Sequence, residues 1–120
     1  LPNGISAEAG NCGRFGHGEE SMRVLNESGK STVILPEKFD GTTLANFKRA
    51  THDVLAGRGL REVVLDFEAV DYVDSMALGA LLLLRERAGA AGKTVVLTGM
   101  RAKVRSLFSL ANLHRIFDIR

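Results

Sequence analysis

Two runs, Glu62–Phe67 (EVVLDF) and Lys93–Thr98 (KTVVLT), are apolar almost without interruption. A strand with one wet face alternates apolar and polar residues. A strand without that alternation is buried on both faces, as in sheets covered by helices. The stretch between the two runs has helical spacing from about Ser75 to Ala91 and stops at Gly92. Parallel strands need a crossover of roughly a dozen residues or more, usually a helix. Two buried strands joined by a helix of that length therefore predict an α/β fold.

The flanking segments extend the pattern. Arg23–Glu27 and Ser31–Pro36 are short strand candidates around Ser28-Gly29-Lys30, where Gly29 suits a hairpin turn. Residues 39–43 read as a turn leading into a helix, with Thr42 or Thr43 as N-cap. Leu44, Phe47, Ala50 or Thr51, Val54 and Leu55 recur at helical spacing until Gly57 and Gly59 end the run. Residues 68–74 form a loop containing the apolar pair Tyr72-Val73. After Gly99 a helix presents Val104, Leu107, Phe108 and Ala111 and stops at Asn112. Ile116–Ile119 is a short last strand. The expected order is ββαβαβαβ, with about five strands in a mixed sheet. The chain stops soon after the last strand, so one sheet face is expected to be less covered, and a homodimer is one way of covering it.

The chain has 120 residues, enough for one domain with its own core. Residues 1–21, rich in Gly and small polar side chains, carry too little apolar surface to order themselves and read as a tail or appended extension; the domain is expected over 22–120. A net charge of +2 argues against nucleic-acid binding, which calls for a concentrated basic patch. The basic residues Arg101, Lys103, Arg105, His114, Arg115 and Arg120 read as a solvated helix face. Cys12 is the single cysteine, which excludes an internal disulfide. His17, His52 and His114 are too scattered for a zinc site, and no cofactor motif opens a helix. The longest apolar run, Met76 to Leu84, is about half of a membrane span, and no signal peptide precedes the domain, so a cytoplasmic location without membrane insertion is expected.

Asp74-Ser75 stands where a strand-like loop meets the apolar helix. Ser75 has two compatible readings: an N-cap for the helix, or a phosphoacceptor whose phosphate would meet free N–H groups at the positive end of the helix dipole. Neither Gly-x-Ser-x-Gly nor a connected His supports a nucleophile there, so no enzyme is expected. Ala77, Ala80, Leu81, Leu84 and Ala88 share the face that should pack on the sheet. Leu78 and Leu82 fall on a second side, Met76 and Leu83 on a third. Asp66 reads as a hydrogen-bonded or solvent-facing strand-end residue.

From Met22 onward the chain resembles a STAS domain of the bacterial anti-sigma factor antagonist type. The resemblance rests on Pro36-Glu37-Lys38-Phe39-Asp40 after the second strand, and on Val64-Leu65-Asp66-Phe67 leading through Val70 and Tyr72-Val73 into Asp74-Ser75. It rests also on Asp74-Ser75-Met76-Ala77-Leu78-Gly79 and on Val104-Arg105-Ser106-Leu107-Phe108 with Leu110-Ala111-Asn112-Leu113. It implies a protein that binds an anti-sigma factor that is also a serine kinase. Phosphorylation breaks that complex and a phosphatase restores it. The family motif is D-S-[ST]-G-[LV]-G. Met76 replaces its second hydroxyl and Ala77 its glycine, so Ser75 is the candidate phosphoacceptor. Asp40, Asp74, Ser75, Met76, Leu78, Gly79 and Leu83 are the candidate partner contacts. The alternative is an unphosphorylated STAS scaffold or subunit of a signalling or lipid-transport assembly.

Overall fold

The structure is a computed structural model and describes residues 22–120. The candidate tail at 1–21, with Cys12 and His17, lies outside the described residues. Seven strands and three helices follow in the order β1 (Arg23–Glu27), β2 (Lys30–Ile34), β3 (Lys38–Phe39), α1 (Leu44–Leu55), β4 (Glu62–Asp66), β5 (Tyr72–Val73), α2 (Ser75–Ala90), β6 (Thr94–Thr98), α3 (Ala102–Leu110) and β7 (Asp118–Ile119). Short 3-10 turns at Gly41–Thr43 and Leu113–Arg115 precede α1 and β7. The main sheet has the order β1-β2-β4-β6-β7. Only the β1–β2 hairpin is antiparallel. The mixed five-stranded sheet expected from the alternation of strands and helices is therefore observed.

The hairpin is tighter than the sequence suggested. Lys30 already belongs to β2 and pairs with Glu27, which leaves Ser28-Gly29 as a two-residue loop. Gly29 sits at φ 74°, in the left-handed region that such turns demand. Its carbonyl accepts the N–H groups of Arg61 (2.9 Å) and Glu62 (3.1 Å), which fixes where β4 begins.

The core lies between one face of the sheet and the helices. Val33, Val63, Leu65, Val95 and Leu97 form its floor. Phe47 and Val54 of α1 close it, together with Ala77, Ala80, Leu81, Leu84 and Ala88 of α2 and Val104 and Phe108 of α3. The α2 residues are the set that helical spacing singled out. In α1 the choice between Ala50 and Thr51 falls to Thr51, whose hydroxyl donates to the Phe47 carbonyl at 2.8 Å and so can be buried. In α3 the fourth expected core residue, Ala111, lies past the helix end and is exposed. A chain of rings, Phe39–Phe47, Phe39–Phe67, Phe67–Phe108 and Phe108–Phe117, runs through the core with centroids 4.9, 6.2, 5.8 and 6.4 Å apart.

Two features differ from expectation. The loops at 36–40 and 68–74 pair with each other as β3 and β5, a separate two-stranded parallel ladder with Lys38 opposite Tyr72 and Phe39 opposite Val73. Two-residue strands carry no periodicity to read, and burial of Phe39 and Val73 is what places them. The last strand is shorter than Ile116–Ile119. Asn112 at φ 60° turns the chain into the 3-10 turn, Leu113 and Phe117 enter the core, and pairing starts at Asp118.

Candidate functional site

The main strands β2 and β4 are parallel, as are β4 and β6. The helices that cross between them, α1 and α2, therefore run the same way, and both begin at the C-terminal edge of the sheet. The β3–β5 ladder holds the two starting points together.

Asp74 is the hinge of this arrangement. It is the N-cap of α2, with Oδ1 accepting the Ala77 N–H at 2.9 Å. Its other oxygen, Oδ2, accepts the Gly41 N–H at 3.1 Å. One carboxylate thus satisfies orphan N–H groups at the start of α2 and of the 3-10 turn that leads into α1. This corrects one reading of Ser75: the cap is Asp74, and Ser75 is the first residue inside the helix, exposed. A group attached to its oxygen would stand at the positive end of a sixteen-residue helix.

Asp40 caps the 3-10 turn ahead of α1. Its Oδ1 accepts from the Thr42 hydroxyl (2.6 Å) and the Thr42 N–H (3.0 Å), while the Asp40 N–H donates to the Thr43 hydroxyl (3.2 Å). The Thr42 hydroxyl, above all, holds the Asp40 carboxyl below the usual carboxylate range. A depressed pKa means that the folded state favours the ionised form. The cap therefore contributes stability above the ordinary pKa of 3.8, and that contribution is lost as pH falls through the lowered value.

Met76 lies over the same corner. A Cβ built on Gly41 would come within 3.0 Å of the Met76 sulfur, so a side chain at 41 would push Met76 aside. Met76 is nonetheless 60% exposed. The candidate contacts Asp40, Asp74, Ser75 and Met76 therefore meet at one corner, joined by Gly41. Gly79 and Leu83 continue along α2. Leu78 is half-buried against the core, whereas Leu82, not one of the candidate contacts, is 41% exposed and Leu83 39%.

Gly79 has no packing reason to be glycine. A Cβ there meets nothing within 4 Å. Glycine inside a helix costs about 0.8–1.0 kcal/mol relative to alanine. Gly79→Ala is expected to stabilise the isolated protein by about 0.5–1 kcal/mol in urea unfolding, and a loss of stability would show a packing role that the geometry lacks.

Several other charged residues are paired away from this corner. Asp66 accepts the Glu68 N–H at 2.8 Å, as a hydrogen-bonded strand end. Gly99, at φ 71°, packs against this turn, with a built Cβ 3.3 Å from the Glu68 nitrogen. Asp71 pairs with Lys103 at 3.5 Å, Arg101 donates to the Glu68 carbonyl, and Arg120 pairs with Asp118 and Glu62. Among the described residues no group of three or more His, Cys, Asp or Glu could hold a metal ion, and no helix is long and apolar enough to cross a membrane.

Comparison with known proteins agrees with this architecture. The family described as Mlab, STAS domain, matches residues 22–119. A STAS-domain containing protein of Pseudomonas aeruginosa (strain UCBPP-PA14) is 32% identical over 88 residues, covering 73% of this chain and 85% of that one. An anti-sigma-factor antagonist (STAS) domain protein from Planctomyces limnophilus superposes with a TM-score of 0.75 at 14% identity, over 83% of this chain and 89% of that chain. The Bacillus cell fate determinant SpoIIAA in its phosphorylated form gives 0.65 at 13% identity, over 83% and 91%. At such identities the structural likeness is one of fold, and the family assignment comes from the sequence matches: the chain belongs to the STAS-domain family.

Proposed function

We propose that this protein is an anti-sigma factor antagonist. It docks a kinase-type anti-sigma factor on the exposed strip of α2, and phosphorylation of Ser75 breaks the complex until a phosphatase restores it. The observation that carries the reading is the exposed Ser75 at the first position of α2, beside Asp74 and an exposed apolar strip of Met76 and Leu83, with Leu82 exposed on the neighbouring side. The STAS family match and the existence of SpoIIAA in a phosphorylated form support it.

The physics of the switch is local. A phosphate adds about −1.5 to −2 charge. The free N–H groups and the dipole at the start of α2 let the free protein tolerate it. A docked partner would have to bury that charge next to Asp74, so the penalty falls on the complex. The test is incubation with ATP and the cognate kinase, followed by mapping of the phosphate by mass spectrometry. Phosphate at Ser75 is expected; modification elsewhere, or none, removes Ser75 from the role. Ser75→Asp should weaken partner binding about 10-fold or more, about 1.4 kcal/mol. An unchanged affinity in calorimetry would refute the electrostatic switch.

A second reading is favoured by Met76. It fills the family's second hydroxyl position and packs over Gly41, so this copy would have a single acceptor. On that reading the protein is a constitutive scaffold or subunit of a signalling or lipid-transport assembly. Co-purification with transporter or receptor subunits in place of a kinase-type ATPase would decide for it.

A further inference from the structure

The α1–α2 interface opens into a shallow groove. Phe47, Thr51, Leu55, Ala80, Leu83 and Leu84 make its apolar floor and walls, and Lys48, His52 and Arg87 stand at its rim. It encloses about 50 Å³. Small-molecule pockets run to roughly 300–1,000 Å³, so this groove suits the side chains of another polypeptide. Its charge is one-sided. No carboxylate lines it, since Asp53 and Glu86, the acidic residues of these two helices, point elsewhere. None of its three basic residues is ion-paired among the described residues. The opposite sign dominates the far end, where Asp74 and Asp40 cap the helix starts. The strip between the helices therefore runs from an acidic corner at Met76 to a basic end at Arg87.

We propose that this groove seats an amphipathic helix of the docking partner, with an apolar row along the floor and acidic side chains at the end facing Lys48, His52 and Arg87. The inference rests on the reading of α2 as the docking helix and adds the partner's chemistry. Apolar anchors spaced three and four residues apart fit a groove between two parallel helices. Gly79 lets a backbone come close to α2 beside Leu83. The unpaired Lys48 and Arg87 beside an apolar floor select an acidic helix over a basic one, because like charges brought together would be penalised.

The probe is a pair of capped 18-residue synthetic helices. Each has a leucine row at positions spaced three and four apart, and the two carry either two glutamates or two lysines in the final turn. Each is titrated into the 15N-labelled full chain. The glutamate peptide should bind about 10-fold more tightly or better, with amide shifts centred on Lys48, Thr51, Leu83 and Arg87. The exposed double variant K48E/R87E should reverse the preference. Equal binding of the two peptides, no binding, or shifts away from the groove would overturn the inference. The Ser75 switch is tested apart from it: S75D should leave peptide affinity within about 2-fold, because the acidic turn lies at the far end. Groove binding together with an S75D variant that still binds the kinase normally would keep the groove and reject the switch. The converse result would reject the groove alone.

Discussion

Phe67→Ala is expected to cost about 3–5 kcal/mol of folding free energy, the range for deleting a buried ring. Phe67 is fully buried and is the middle link of the ring chain, with Phe39 on one side and Phe108 on the other. Removing it takes contacts from both neighbours at once, and backbone pairing of Phe67 with the Thr98 carbonyl limits how far the gap can collapse. Against a total stability of about 5–15 kcal/mol, the loss is large enough to leave part of the protein unfolded near physiological temperature. In urea the unfolding midpoint should fall by about 2 M at a typical slope of about 2 kcal/mol per molar. Phe67→Leu, which keeps most of the apolar volume, should lose less than half as much. A loss below about 1 kcal/mol for the alanine variant would mean that the rings do not pack as a unit.

Asp74→Ala should have the next largest effect, about 2–3 kcal/mol. Loss of an N-cap costs about 1 kcal/mol, and an amide left without its acceptor about 1–3 kcal/mol when buried, at the low end here because the corner is half-exposed. The signature is spatial. Amide exchange should accelerate at Ala77, in the first turn of α2, and equally at Gly41, distant in sequence. Asp74→Asn keeps one good acceptor and should restore the cap while giving up part of the link to Gly41. Acceleration confined to α2 would show that the 3.1 Å contact with Gly41 contributes nothing.

The sequence carried some of these parts openly and hid others for physical reasons. In β4 and β6 three consecutive residues are buried, Val63 to Leu65 and Val95 to Leu97, so the runs are apolar without alternation, and that pattern exists in the chain itself. The buried face of α2 follows from helical spacing for the same reason. Ser75 and Asp74 were visible as neighbours at a helix start, but which of them caps was not, since Ser and Asp are about equally good caps and only the geometry chose Asp74. The contact of Gly41 with Asp74 and the basic groove leave no mark in the sequence, because each exists only after residues 25 or more positions apart are brought together. Exposure on α2 also depends on neighbours: Leu78 and Leu82 share a side of the helix, yet one meets the core and the other does not.

The ladder of β3 and β5 has only two residue pairs and no hydrogen-bonded link to the main sheet. It carries the residues immediately before Asp40 and Asp74. Opening it breaks fewer hydrogen bonds than opening the five-stranded sheet but also pulls Phe39 and Val73 out of the shared core, so its protection should be intermediate. The amides of this corner should exchange with solvent through openings that leave β4 and β6 protected. On the proposed switch, such an opening presents Ser75 to the kinase in an extended segment without unfolding of the domain.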